Sequence, residues 1–166
     1  MAEKDLITEE KVKHAGIFDF KNTYNFVYDW LTSNEYFVEE KAYTEKIKPE
    51  GKEIEIEWEA KRKISDYFRF NLKFRWYILG MTTVEVAKDD IKIKTNKGVF
   101  EVKISAYLEK DYERTWEASF VSKFLRGLYD RYIIKSRIEK YEDKVAGELQ
   151  ELIAQLKAFL ALESRK

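Results

Sequence analysis

The single histidine, His14, and the alternating carboxylates Glu53, Glu55, Glu57 and Glu59 are the first places to look for chemistry. One histidine excludes a multi-histidine metal site and forces any Ser-His-Asp arrangement through His14. By strand parity His14 shares a face with Val12 and Phe18, either as a general base or ligand hydrogen-bond partner, or as an ordinary half-exposed strand residue. The chain has no cysteine, which removes disulfides, thiolate metal sites and cysteine nucleophiles. The four carboxylates alternate with Ile54, Ile56, Trp58 and Ala60, so they belong to the wet face of a strand. No carboxylate falls among the inward positions that follow, which argues against a paired-carboxylate hydrolase or a carboxylate metal site. The six glycines are scattered, so no phosphate-cradling loop is present. Nothing in the pattern calls for a metal or a cofactor. Tyr43, Arg62, Arg131 and Tyr132 are candidates for polar contacts at a pocket mouth, against plain rim packing for each.

A basic, aromatic surface is a separate candidate. Lys61, Arg62, Lys63, Arg69, Lys73 and Arg75 with Tyr67 and Tyr77 have the residue types of a single-strand nucleic-acid platform. The neighbouring Glu row neutralises that field, and Lys plus Arg equals Asp plus Glu at 31 each, so the balance argues against nucleic acid.

The elements that must position these residues are a sheet followed by a long helix. Residues 1–10 are polar and are expected to fray. Strands are predicted over 11–18, 38–48, 53–60, 67–79, 82–86, 91–93 and 99–110, with a helix over 20–32. Lys48-Pro49-Glu50-Gly51, Gly80, Lys88-Asp89-Asp90 and Asn96-Lys97-Gly98 punctuate them as turns. Alternation places Phe68, Phe70, Leu72, Phe74, Trp76 and Ile78 inside, then Thr82, Val84, Val86, Ile91 and Ile93, then Phe100, Val102, Ile104, Ala106 and Leu108. Tight turns make the sheet antiparallel, and its single dry face needs a helical cover. Helical periodicity runs over 115–162 without proline, through Trp116, Phe120, Phe124, Leu128, Tyr132, Ile138 and Tyr141. A kink or break is expected at Gly147.

With 166 residues, 45% hydrophobic and 37% charged, the chain suits one domain with a heavily charged surface. No signal peptide or transmembrane run is legible, so a soluble, cytoplasmic protein is expected; abundant Lys and Glu without Cys gives it a thermophile-like composition.

The order strand, helix, antiparallel strands and long C-terminal helix resembles the START-related helix-grip superfamily, which includes the birch-pollen-allergen-like and polyketide-cyclase-like (SRPBCC) proteins. Phe18-Asp19-Phe20 leading into Tyr24, Val27 and Trp30, the hairpins over 38–110 and the helix over 116–141 carry the likeness. The resemblance implies an α+β fold, a curved seven-stranded antiparallel sheet wrapped around a long C-terminal helix, with a short N-terminal helix after the first strand. It implies a domain over 11–143 and a helical extension over 144–166. It also implies a cavity between sheet and helix, lined by Trp58, Phe68, Phe70, Phe74, Trp76, Phe100, Phe120, Phe124, Leu128 and Tyr132, for a hydrophobic small molecule or lipid bound without catalysis. Those side chains are also large enough to fill it. Val145, Leu149, Leu152, Leu156 and Phe159 approach a heptad stripe, broadened by Ile153 and Leu160. A second reading therefore has a filled core and a homo-oligomeric or protein-interaction role for this tail, unless the tail folds back on the sheet. A cyclase- or hydratase-like enzyme using His14 or Tyr132 is the third.

Overall fold

The structure, a computed structural model, describes residues 3–65, 67–110, 124, 125, 128 and 135–164. Its elements are β1 (Glu3–Phe18), α1 (Phe20–Ser33), β2 (Phe37–Lys48), β3 (Gly51–Lys63), β4 (Phe68–Lys88), β5 (Ile91–Lys110) and α2 (Lys135–Ser164). The strands form one five-stranded sheet in the order β1-β5-β4-β3-β2, with every neighbouring pair antiparallel. Five strands replace the expected seven. The helix between β1 and β2 is not short: its 14 residues make about four turns.

The strand count falls because two expected turns are strand interior. β4 passes through Gly80, where a bulge takes up one extra residue between Leu79 and Thr82. β5 passes through Asn96, Lys97 and Gly98, each of which pairs with both neighbours or lies in register between residues that do. Residues 3–10 do not fray either, because Glu3 to Glu10 pair with Lys110 to Ile104 across the sheet. Both outer strands carry a bulge, at Leu6/Thr8 in β1 and at Glu40/Ala42 in β2, and both are rich in charge. Bulges and charges together discourage edge-to-edge growth of the sheet.

Two helices cover one face. α1 starts at Asp19, whose carboxylate accepts from the Asn22 amide at 2.9 Å. It turns Thr23, Val27 and Leu31 into the core. α2 runs unbroken through Gly147, contrary to the expected kink; a methyl group there would meet nothing within 4 Å. α2 packs on β1, β5 and α1. Val145, Leu149, Leu152, Leu156 and Leu160 recur at helical spacing and are buried in the same core as the sheet aromatics. The stripe that suggested a free tail is therefore the inner face of a covering helix. Phe159 joins it by stacking on Phe26, with ring centroids 4.8 Å apart.

A half-buried ionic clasp fastens α2 to the sheet. Arg62, at the inward-facing end of β3, donates from Nη2 to Glu148 Oε1 at 2.9 Å and from Nη1 to the Asn34 carbonyl at 3.0 Å. Tyr36 donates its hydroxyl to the other Glu148 oxygen at 3.0 Å. The guanidinium also lies over the Tyr36 and Phe70 rings, 4.8 and 5.2 Å from their centroids. Burial, followed by the Glu148 charge, pushes the Tyr36 hydroxyl far above its ordinary pKa, so it stays a donor. Helix, strand and the α1–β2 turn are thus tied at one point.

On the opposite face a second cluster closes the far end of the sheet. Asn71 donates to Glu59 at 2.9 Å and to Glu109 at 3.0 Å, and Glu109 also takes Arg69 and Lys4. Burial alone would raise the Glu109 pKa; the hydrogen bonds from Arg69 and Asn71 and the Lys4 ammonium outweigh it and hold the carboxyl below its ordinary value. A depressed pKa contributes stability above the unfolded value, lost as pH falls through the folded one. Glu109→Gln should therefore be less stable at neutral pH and lose less than wild type between about pH 5 and about pH 3, read from urea midpoints at both ends.

Candidate interaction surface

The structure places the expected cavity lining in two groups. Trp58, Phe68, Phe70, Phe74, Trp76 and Phe100 are all buried on the helix-facing side of the sheet, none more than 3% exposed. They pack on one another and on the helices. Trp76 meets Trp58 at 4.9 Å and Phe100 at 5.6 Å between centroids, Tyr24 of α1 sits edge-on to Trp58 at 4.8 Å, and Tyr141 of α2 meets Phe68 at 5.2 Å. Phe124 and Leu128 are instead helical and exposed, at 61% and 40%. Phe120, Arg131 and Tyr132 lie outside the described residues.

The polar candidates are engaged structurally. His14 is half-buried, its Nε2 lies 3.0 Å from the Ile17 carbonyl, and its ring meets the Phe18 edge. Arg62 belongs to the clasp, and Tyr43 stands exposed on β2. Tyr24 donates to Glu40 at 2.9 Å; burial, then the Glu40 hydrogen bond, pushes its pKa up to about 12. Two surface recesses are charged. One of about 410 Å³ opens on the outer face among Lys41, Glu57, Glu59, Lys73, Arg75 and Lys103; one of about 450 Å³ lies beside Phe37, Lys61 and Lys63. No cluster of three or more His, Cys, Asp or Glu suited to a metal ion occurs among the described residues. No described helix is long and apolar enough to cross a membrane.

A different surface emerges from the register of β4 and β5. β3 pairs with β4 only as far as Met81, and β1 pairs with β5 only as far as Asn96. The β4–β5 ladder continues for five more pairs, from Val84↔Thr95 to Lys88↔Ile91. A two-stranded arm therefore projects about 20 Å beyond its neighbours, at about 3.3 Å per residue.

Glycines make its root. Gly51, Gly80 and Gly98 meet where β3, β4 and β5 cross the bulge. A Cβ on Gly51 would lie 2.6 Å from the Gly80 carbonyl carbon, and one on Gly98 would lie 2.9 Å from the Leu79 carbonyl oxygen. Only side-chain-free residues permit such an approach.

The bulge changes which face is apolar. β5 alternates without interruption from Leu108 to Ile91, so Phe100 points to the core while Val99, Lys97, Thr95, Ile93 and Ile91 point the other way. Across the ladder, the extra residue in β4 brings Val84 and Val86 to that same outer side. The expectation that Thr82, Val84, Val86, Ile91 and Ile93 face the core is therefore corrected. With Leu79 and Val99 the aliphatic residues form an apolar strip on the outer face, crossed by the Thr82–Lys97 pair; its exposed members include Ile91 at 64%, Leu79 at 46% and Ile93 at 39%, while Thr95 is buried and donates its hydroxyl to the Phe18 carbonyl at 3.3 Å. The strip escapes a simple alternation reading because one residue of slip reverses every position after it. The available clue is the glycine inside a strand run at Gly80, which marks a bulge as readily as a turn.

Comparison with known proteins finds no matching family model, no matching curated protein and no matching solved structure.

Proposed function

We propose that this chain is a protein-interaction module with a filled core, and that its working surface is the outer apolar strip of the β4–β5 arm. The observation that supports this reading is the strip itself: isoleucine and valine side chains share one side of a projecting ribbon that neither β1 nor β3 flanks, and Leu79 and Val99 continue it onto the flanked sheet. Contiguous exposed apolar surface of this kind marks contact sites.

The aromatic interior supports the same reading from the other side. The six sheet aromatics that the resemblance would assign to a ligand cavity, Trp58, Phe68, Phe70, Phe74, Trp76 and Phe100, are buried in one core with both described helices, so their bulk serves packing. Binding of a hydrophobic small molecule between sheet and helix is the alternative, and native mass spectrometry of the purified full chain addresses it: a stoichiometric co-purifying ligand would favour the cavity.

The arm is tested by the double substitution Ile91→Asp with Ile93→Asp. Because both side chains are on the solvent side, the melting temperature is expected to change by less than about 3 °C, which corresponds to about 1 kcal/mol or less for a chain of this length. A fall of more than about 10 °C would mean that the chain's own core needs this face, and the arm reading would fail.

A further inference from the structure

We infer that the recess of about 410 Å³ on the outer face of the sheet binds the dianionic phosphate of a small phosphomonoester, held on a square of side chains from β4 and β5. The square is separate from the arm, whose strip begins two side-chain rows away at Leu79 and Val99.

The register defines the square. Lys73 lies opposite Ser105 and Arg75 lies opposite Lys103, and alternation sends all four side chains to the outer face. Neighbouring strands are about 5 Å apart and alternate residues along a strand about 7 Å. Three cations and a hydroxyl therefore stand at the corners of a figure into which one tetrahedral oxyanion fits.

Like charge is concentrated there. Lys13 opposite Glu101 and Lys4 opposite Glu109 follow the usual pairing of unlike charges, but Lys11, Lys103 and Arg75 stand in one row across β1, β5 and β4. Directly opposed like charges destabilise a sheet, and an anion set between them removes that cost. Lys73 has no carboxylate partner among the described residues; its ammonium lies over the Tyr107 ring, 5.4 Å from the centroid.

The carboxylates beside the recess leave room for such an anion. Glu59 is held by Asn71 and Lys61. Glu57 meets Arg75 at 3.0 Å and Glu9 meets Lys103 at 3.6 Å, and these four side chains are between 44% and 60% exposed. Exposed pairs of this kind contribute little, so a dianion displaces the two carboxylates at small cost. Glu9 also accepts the Ser105 hydroxyl at 3.1 Å, a donor that rotates to the oxyanion once Glu9 moves away. Converging charged donors hold a phosphate dianion better than a carboxylate, which carries one charge. Tyr107 lines the same recess and offers a ring face to the ester group.

Titration of the full chain with phenyl phosphate, followed by backbone amide shifts, tests the site. Shifts should centre on 73–75 and 103–105 and saturate with a Kd of about 1 mM or below. Benzoate, the same ring with a single charge, should bind about tenfold more weakly or worse. Lys73→Gln should weaken phenyl phosphate about tenfold. Lys13→Gln removes the same charge from the same face outside the square and should weaken it less than about twofold. Both lysines are exposed, so neither change threatens folding. Tyr107→Ala should narrow the preference for phenyl phosphate over inorganic phosphate. No saturation up to about 20 mM phenyl phosphate overturns the site. Equal weakening by Lys13→Gln and Lys73→Gln overturns it as well, since only a diffuse field would then be acting. Benzoate bound as tightly as phenyl phosphate overturns the dianion assignment. Tighter binding of single-stranded oligothymidylate, with shifts along the whole outer face, overturns the small-molecule assignment in favour of a nucleic-acid track.

Discussion

Trp76→Ala is expected to lower the free energy of unfolding by about 3–5 kcal/mol, as removal of a fully buried large aromatic does. Trp76 has no exposed surface and is packed among Trp58, Phe100 and Tyr24, so its loss leaves a void with several walls that cannot collapse together. Its indole Nε1 is buried without a hydrogen-bond partner among the described residues, so the contribution is one of packing. Trp76→Phe should therefore recover most of the loss. Chemical denaturation of both variants checks this. A neutral Trp76→Ala would mean that the space beside Trp76 is already slack, as a ligand cavity requires, and the filled-core reading would be in difficulty.

Arg62→Met is the second large effect, expected at about 2–4 kcal/mol. The substitution keeps an apolar stem over Phe70 but removes two donors at once. Among the described residues Glu148 then keeps the Tyr36 hydroxyl alone, and the Asn34 carbonyl loses its side-chain partner. The Arg62 and Glu148 side chains are only 14% and 19% exposed, so water replaces the missing donor poorly. Combining Arg62→Met with Glu148→Leu should cost less than the single change, because the stranded carboxylate goes too. Urea midpoints of the single and double variants decide it; a double variant worse than the single one would show that the clasp is held by something other than this pair.

Much of the interior was legible because strand periodicity is local. The alternation from Ile54 to Ala60 and from Phe68 to Ile78 appears in the burial of those residues, with the carboxylates and cations on the other side. The helical stripe from Val145 to Leu160 was legible as a stripe, but not where it would lie. Whether an amphipathic helix seeks its own sheet or another chain depends on long-range geometry that spacing does not encode. The strand count failed for a related reason. Gly80 and the Asn96-Lys97-Gly98 segment have the residue types of turns, yet continuous pairing on both sides carries them through as strand. A single inserted residue at Gly80 and Met81 puts Val84 and Val86 on the outer face instead of the expected core face, and the unbroken run of β5 through Asn96-Lys97-Gly98 does the same for Ile91 and Ile93. Arg62 likewise looked like a rim residue, because its partner Glu148 lies 86 positions away.

The most direct test of the account is isoleucine methyl NMR of the full chain with a soluble paramagnetic agent. Ile91 and Ile93 are exposed on the arm, whereas Ile54, Ile56, Ile78 and Ile104 are buried. The account predicts strong broadening of the first group and little of the second. Protection of Ile91 and Ile93, or broadening of the buried group, would contradict it.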